Sequence, residues 1–166
     1  MLWQSPYWVG FVAAAWAIVQ GTLLEYWVHR WMHRQGLAQR RHGGHHQRGQ
    51  GQGVFGEFRD YMLVGGPFCV LAFCFSLVIG VGFTIGAVGY LAFSAYAHQC
   101  QHERPELVFW LKAPVHHLHH RHHMTRYNYG IAVDFWDRTF GTYQARSWDQ
   151  RAAPRVLSEY FRIRWF

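Results

Sequence analysis

A chain of 166 residues that is 51% hydrophobic and only 15% charged excludes a charge-rich disordered protein and suits a single domain, expected over 1–166. Its formal charge of +7 would admit a nucleic-acid binder, but no Lys or Arg occurs in 1–29 or 60–103, and all 16 lie in 30–59 and 104–166. Basic charge segregated around long apolar blocks is the pattern of a membrane protein, whose Lys and Arg stay on the cytoplasmic side, and it argues against nucleic acid as a partner.

The first apolar block, Tyr7 to about Val28, has 22 residues, enough for a helix of roughly 33 Å. It lacks a basic n-region and a small-residue cleavage site, so it reads as a retained helix rather than a signal peptide. Trp3, Tyr7 and Trp8 at one end and Tyr26 and Trp27 at the other resemble interfacial aromatic belts. Residues 30–59 form a polar stretch with the run RRHGGHHQRGQGQG. An RGG-like nucleic-acid reading of that run is weak, because the run is short and flanked by apolar blocks.

The second apolar block, about Tyr61 to Ile79, and the third, about Val81 to Ala97, are punctuated by Gly80 and Gly82. Both are short for membrane spans, and a tight helical hairpin fits them best, with Gly86 and Gly89 allowing close helix contact. A buried helical pair in a soluble core is the alternative. Three spans would place 30–59 and 104–166 on one side. The positive-inside rule makes that side cytoplasmic and puts the N-terminus opposite. The expected fold class is therefore an all-α integral membrane protein with about three transmembrane helices and a cytoplasmic, histidine-rich helical cap. The tail VLSEYFRIRWF mixes aromatic and Arg residues and reads as an interface-lying helix. Cys69, Cys74 and Cys100 form neither a disulfide framework nor a CxxC metal motif.

All 13 histidines fall near the cytoplasmic face of this arrangement, in four clusters. His29 and His33 are spaced i, i+4 at the end of the first span. His42, His45 and His46 read HxxHH in the polar loop. His98 and His102 are i, i+4 at the end of the third span, and HHLHHRHH covers 116–123. Residues three and four apart share a helix face, so each cluster can aim imidazoles at one ion. A lone HxxxH pair is more often an accident or a satisfied interfacial histidine. Four clusters at one depth, with no stray histidine elsewhere, are not. Imidazole suits Fe, Cu and Zn, and ten well-spaced nitrogens are too many for one ion and enough for two.

The ordered set HRWMH, HGGHH, HQCQH and HHLHH, followed by NYGIAVDFWDRTFGTY, resembles the fatty acid hydroxylase/sterol desaturase superfamily of membrane di-iron oxygenases over roughly residues 22–145. The resemblance implies that His29, His33, His42, His45, His46, His98 and His102 are ligands. In 116–123 two HxxHH frames overlap. The frame His116, His119 and His120 leaves seven residues before Asn128, the frame His119, His122 and His123 leaves four, and the first is preferred. His117, His122 and His123 then become supporting or alternative ligands, or simply solvated basic surface. Glu25, four before His29, can orient its imidazole or pair with Arg30. Asp137 can do the same for the last cluster, or brace the turn through Arg138. Asp60 and Asp134 read as capping or interfacial.

The resemblance further implies two Fe ions, O2 as co-substrate and a membrane lipid substrate. With no fused cytochrome-type domain, an external redox donor such as a cytochrome b5-like protein or a ferredoxin is expected. Zinc can take the same imidazoles in a purified sample. A lipid hydroxylase acting on a fatty-acyl or other lipid C–H bond is the leading expectation. The competing expectations are a carotenoid or sterol-type hydroxylase or desaturase, and a non-catalytic membrane metal-binding protein.

Overall fold

The computed structural model describes residues 6–34, 36–148 and 154–166, and every regular element among them is helical. The helices are α1 (Tyr7–Met32), α2 (Leu37–Arg48), α3 (Val54–Ala72), α4 (Leu77–Glu103), α5 (Val115–Arg121) and α6 (Phe135–Thr139). Short 3-10 turns lie at Pro105–Leu107 and Leu157–Phe161. Trp3 lies outside the described residues.

Helices α1 and α4, of 26 and 27 residues, are long and apolar enough to cross a membrane. Phe11, Trp16 and Val19 of α1 and Ile85 of α4 are exposed. A stripe of large apolar side chains on this scale marks a surface that meets lipid or a partner rather than water. The third long helix, α3, carries Glu57, Arg59 and Asp60 near its start and does not reach the same combination of length and apolarity.

The two long helices run parallel, because successive contacts climb both together: Gly10 meets Gly82, Ala14 meets Gly86 and Gly21 meets Tyr90. Their C-terminal ends therefore lie side by side, which brings His29 and His33 level with His98 and His102. A chain that joins two parallel helices must travel back between them, and α3 is that return. It is antiparallel to α4, with Gly65 against Leu91 and Phe73 close to Gly80.

The hairpin turn falls at 73–76 rather than at Gly80 and Gly82. Ser76 supplies the N-cap of α4, its hydroxyl oxygen accepting from Ile79 N, and this side-chain bond starts the helix early. The glycines serve α1 instead. A Cβ at Gly82 would collide with the Gly10 carbonyl oxygen, and one at Gly86 with that of Ala14. Gly89, expected to share this role, faces open space. Tyr26, expected in an interfacial belt, is fully buried and hydrogen-bonded to Thr142. The tail forms one 3-10 turn rather than an α-helix. It is held by Val54 N and Phe55 N donating to the carbonyls of Arg164 and Trp165, which ties its end to the start of α3.

The cap over the helix ends is pinned by polar side chains. Gln101 accepts from His116 N and donates to Ile131 O, fixing α5 and the following loop to α4. Asn128 holds a left-handed backbone conformation, with φ 58°, and its amide pairs with both backbone groups of Gln144. Asn is one of the few side chains that tolerate this region.

Candidate metal centre

The structure converges the histidines of α1, α2, α4 and α5 into two groups. In the first, His29 from α1 and His33 at its C-cap, His42 and His46 from α2 and His119 from α5 each offer one nitrogen, all within 4.8 Å of one another. The second contains His45 from α2, His102 from α4 and His116 and His120 from α5, within the same limit. His98 adjoins the second group, its Nε2 3.2 Å from that of His102. His46 and His120 stack across the two groups with ring centroids 3.9 Å apart.

Helix geometry explains the division. His42 and His46 lie one turn apart on α2 and meet the first group, while His45 is rotated toward the second. In α5 the same happens to His119 against His116 and His120. Each HxxHH motif thus serves both groups.

The donor set fits cations. His29 Nδ1 donates to Tyr129 O at 2.6 Å and His119 Nδ1 to Tyr127 O at 2.7 Å. A neutral imidazole has one N–H, so both Nε2 atoms are left as bare lone pairs. They nevertheless face other Nε2 atoms: His29 to His42 at 3.1 Å, His119 to His33 at 2.8 Å and to His46 at 3.2 Å. An ion about 2.1 Å from each of two nitrogens at right angles sets them ~3.0 Å apart. In the second group His102 Nδ1 donates to Gly49 O, and its Nε2 stands 3.1 Å from that of His45 and 3.3 Å from that of His116. His120 is buried with no hydrogen-bond partner for either ring nitrogen, and His116 Nδ1 is likewise without one. Buried imidazole nitrogens without partners are costly unless an ion takes them.

Burial also keeps the rings ready to ligate. It pushes His33 and His46 down to about 4 and His119 to about 3, with His33 and His46 adding charge repulsion on His119. His42 falls to about 2, first from burial and then from His33 and His46. His116 and His120 are also lowered, chiefly by burial. Uncharged imidazole is the form that binds metal.

The other expected residues stand outside the groups. His117 Nδ1 donates to Gln101 O and its ring lies against Trp148. His122 and His123 are exposed. Glu25 touches neither His29 nor Arg30. It accepts from Ile131 N, Ala132 N, Tyr90 OH and Ser94 OH, because it sits where α1 faces α4 and the post-α5 loop. Arg30 donates to Tyr26 OH instead. Asp137 touches no histidine and does not act through Arg138, which pairs with Asp134. It braces the turn by accepting from Tyr129 N, Gly130 N and Thr142 OH. By holding the Tyr129 peptide it holds the carbonyl that orients His29. Burial raises the Asp137 carboxyl and these three donors pull it back.

Sequence spacing missed Glu57. It is 4% exposed, and its Oε2 lies 3.0 Å from His98 Nδ1. No helical interval connects the two residues, and they meet because α3 runs antiparallel to α4. The orienting carbonyls of Tyr127, Tyr129 and Gly49 carry no side-chain signal at all.

A cavity of about 930 Å³ opens between α1, α3 and α4. Ala17, Leu24, Val64, Phe68, Phe83 and Ala87 line its apolar part, and His29, His42, His45, His98 and His116 line its other end. The model of a family described as fatty acid hydroxylase matches residues 14–142. No curated protein and no solved structure matches the chain significantly.

Proposed function

Starting from the fact that the chain belongs to the fatty acid hydroxylase family, we propose that it is an O2-dependent di-iron lipid hydroxylase. The observation that carries this reading is the cavity whose apolar part runs between α1, α3 and α4 and whose polar end is walled by histidines of both groups. An apolar pocket of this size takes an acyl chain or a similarly slender lipid, and presents one of its C–H bonds to the metal end.

His29, His33, His42, His46 and His119 would hold one ion, and His45, His98, His102, His116 and His120 the other. Two bound iron ions would supply reductive activation of O2, with two external electrons and two protons from solvent, so that one oxygen atom enters the lipid and the other leaves as water. The chain's own residues do the rest. Carbonyls of Tyr129, Tyr127 and Gly49 fix the tautomers of His29, His119 and His102, so each ring presents its Nε2. The apolar walls keep water from the reacting end and set the register of the chain along the cavity.

In this reading α3 accompanies α1 and α4 into the bilayer, with its exposed Leu63, Val70 and Leu71 toward lipid. The histidine end faces the cytoplasm, where the basic surface attracts anionic headgroups and an acidic redox donor, a cytochrome b5-like protein or a ferredoxin.

The test is mass spectrometry of total lipids from cells expressing the chain, against a His45→Ala/His46→Ala variant at equal membrane abundance. One added oxygen on a lipid, only with the intact chain, is the expected result and names the substrate class. Loss of two hydrogens would replace hydroxylation by desaturation. No change, with reductant and candidate lipids supplied, would overturn the enzymatic reading in favour of a metal-binding protein.

A further inference from the structure

Nine of the ten clustered imidazoles have backbone carbonyls, other imidazoles or nothing at their polar atoms. His98 is different. Its Nε2 points to His102 Nε2 at 3.2 Å, and Glu57 Oε2 stands 3.0 Å from its Nδ1. Both side chains are almost fully buried, 6% and 5% exposed. The contact falls short of hydrogen-bond geometry and is a close approach of a buried carboxylate oxygen to the ring nitrogen. The other Glu57 oxygen accepts from Gln52 N, just ahead of α3. One carboxylate therefore serves two functions: it anchors the segment that enters α3, and it faces the far nitrogen of a histidine at the second group. Glu57 also lines the cavity. Among the described residues no Asp or Glu side chain contacts a histidine of the first group.

We propose that Glu57 is a positioning residue for the metal centre: it holds His98 with Nε2 turned to the second group and makes the two ion positions chemically unequal, the second being the tighter. The inference rests on the metal-centre reading above. A negative charge behind an imidazole raises the basicity of the opposite nitrogen and fixes the ring, and losing such a partner commonly weakens metal binding by ~10–100-fold. The first group, oriented by neutral carbonyls, receives no such help.

The experiment is titration of the metal-free full chain in lipid nanodiscs with Fe(II) under anaerobic conditions, for the wild type, Glu57→Gln, His98→Ala and the double variant. Glutamine keeps an oxygen for Gln52 N and removes the charge. The wild type is expected to bind two equivalents. Glu57→Gln should weaken one of them about 10–100-fold and leave the other unchanged. In the His98→Ala background the same change should weaken binding clearly less than in the wild type, because His98 is the histidine that Glu57 contacts directly. A purely structural Glu57 would weaken both equivalents, and equally in either background, which would overturn the proposal. Unchanged binding by Glu57→Gln would overturn it too. A wild type that binds no iron would instead overturn the metal-centre reading itself. Should Glu57→Gln fail to fold, wild-type chain loaded with one equivalent and examined by anomalous scattering decides: the ion must lie with His45, His98 and His102, and an ion among His29, His33 and His42 refutes the assignment.

Discussion

His46 and His120 stack face to face, their planes 15° from parallel, and this contact joins the two histidine groups into one centre. His46 belongs to the first group and His120 to the second. His120→Ala therefore removes a second-group nitrogen and the ring that supports His46. Metal content measured by elemental analysis should fall by about one equivalent. His122→Ala and His123→Ala alter exposed rings and should retain the full content. The reverse pattern would move the ligand set to the later frame of the HHLHHRHH run.

Asp137 is wholly buried and accepts three hydrogen bonds, from Tyr129 N, Gly130 N and Thr142 OH. The amide of Asp137→Asn has a single acceptor oxygen, so at least one of those donors loses its partner. The cost is about 2 kcal/mol. Thermal unfolding should shift down by ~4–8 °C for a chain of this length. Because the Tyr129 peptide orients His29, metal affinity should weaken as well. A variant with wild-type Tm would mean that the turn is held by other bonds.

Gly82→Ala and Gly86→Ala place a methyl group against the α1 backbone, which cannot swing aside as a side chain can. Each should destabilise the protein by ~1–3 kcal/mol or more. Gly89→Ala, facing open space, should be neutral or stabilising by up to about 1 kcal/mol. Unfolding in detergent separates the two cases. Equal losses at all three positions would contradict the α1–α4 contact.

Ala87 lines the cavity from α4 and packs near Ala17. A phenyl ring in Ala87→Phe would shorten the space available to a substrate chain while leaving the histidines untouched. Turnover of long-chain lipids should drop at least tenfold, with metal content unchanged. Retained turnover would show that the substrate takes another route.

Acid should destabilise the metal-free protein. Burial holds His33 and His46 near 4 and His119 near 3 in the folded chain, whereas an unfolded histidine titrates near ~6.5. Below ~6.5 the unfolded state binds more protons, so stability is full above that pH and falls as pH drops toward about 4. Tm measured at pH 7.5, 6.5 and 5.5 on metal-free protein should decrease in that order. A flat profile would mean that the rings are not buried as neutral imidazoles.

The apolar blocks and the i, i+4 and HxxHH spacings were legible in the sequence because both are local: hydropathy and helical period depend only on neighbours along the chain. The spacing could not say which histidines share an ion. His45 and His46 are adjacent yet serve different groups, because one step along α2 rotates the side chain by about 100°. The exact turn at 73–76 followed from the Ser76 cap, which competed successfully with the nearby glycines for the helix start.

Glu25 shows where spacing misleads. It lies one turn before His29, yet at its depth α4 and the loop after α5 supply four donors, and a buried carboxylate goes to the donors it meets. Residue type and period alone made the helical content, the apolar blocks and the pool of histidines at their ends legible, although about three spans were expected and two helices are long and apolar enough to cross a membrane. The two groups, the carbonyls that orient them and the Glu57–His98 contact arise from long-range packing. Those depend on the direct parallel packing of α1 on α4, with α3 returning alongside α4, which places distant residues at a single depth.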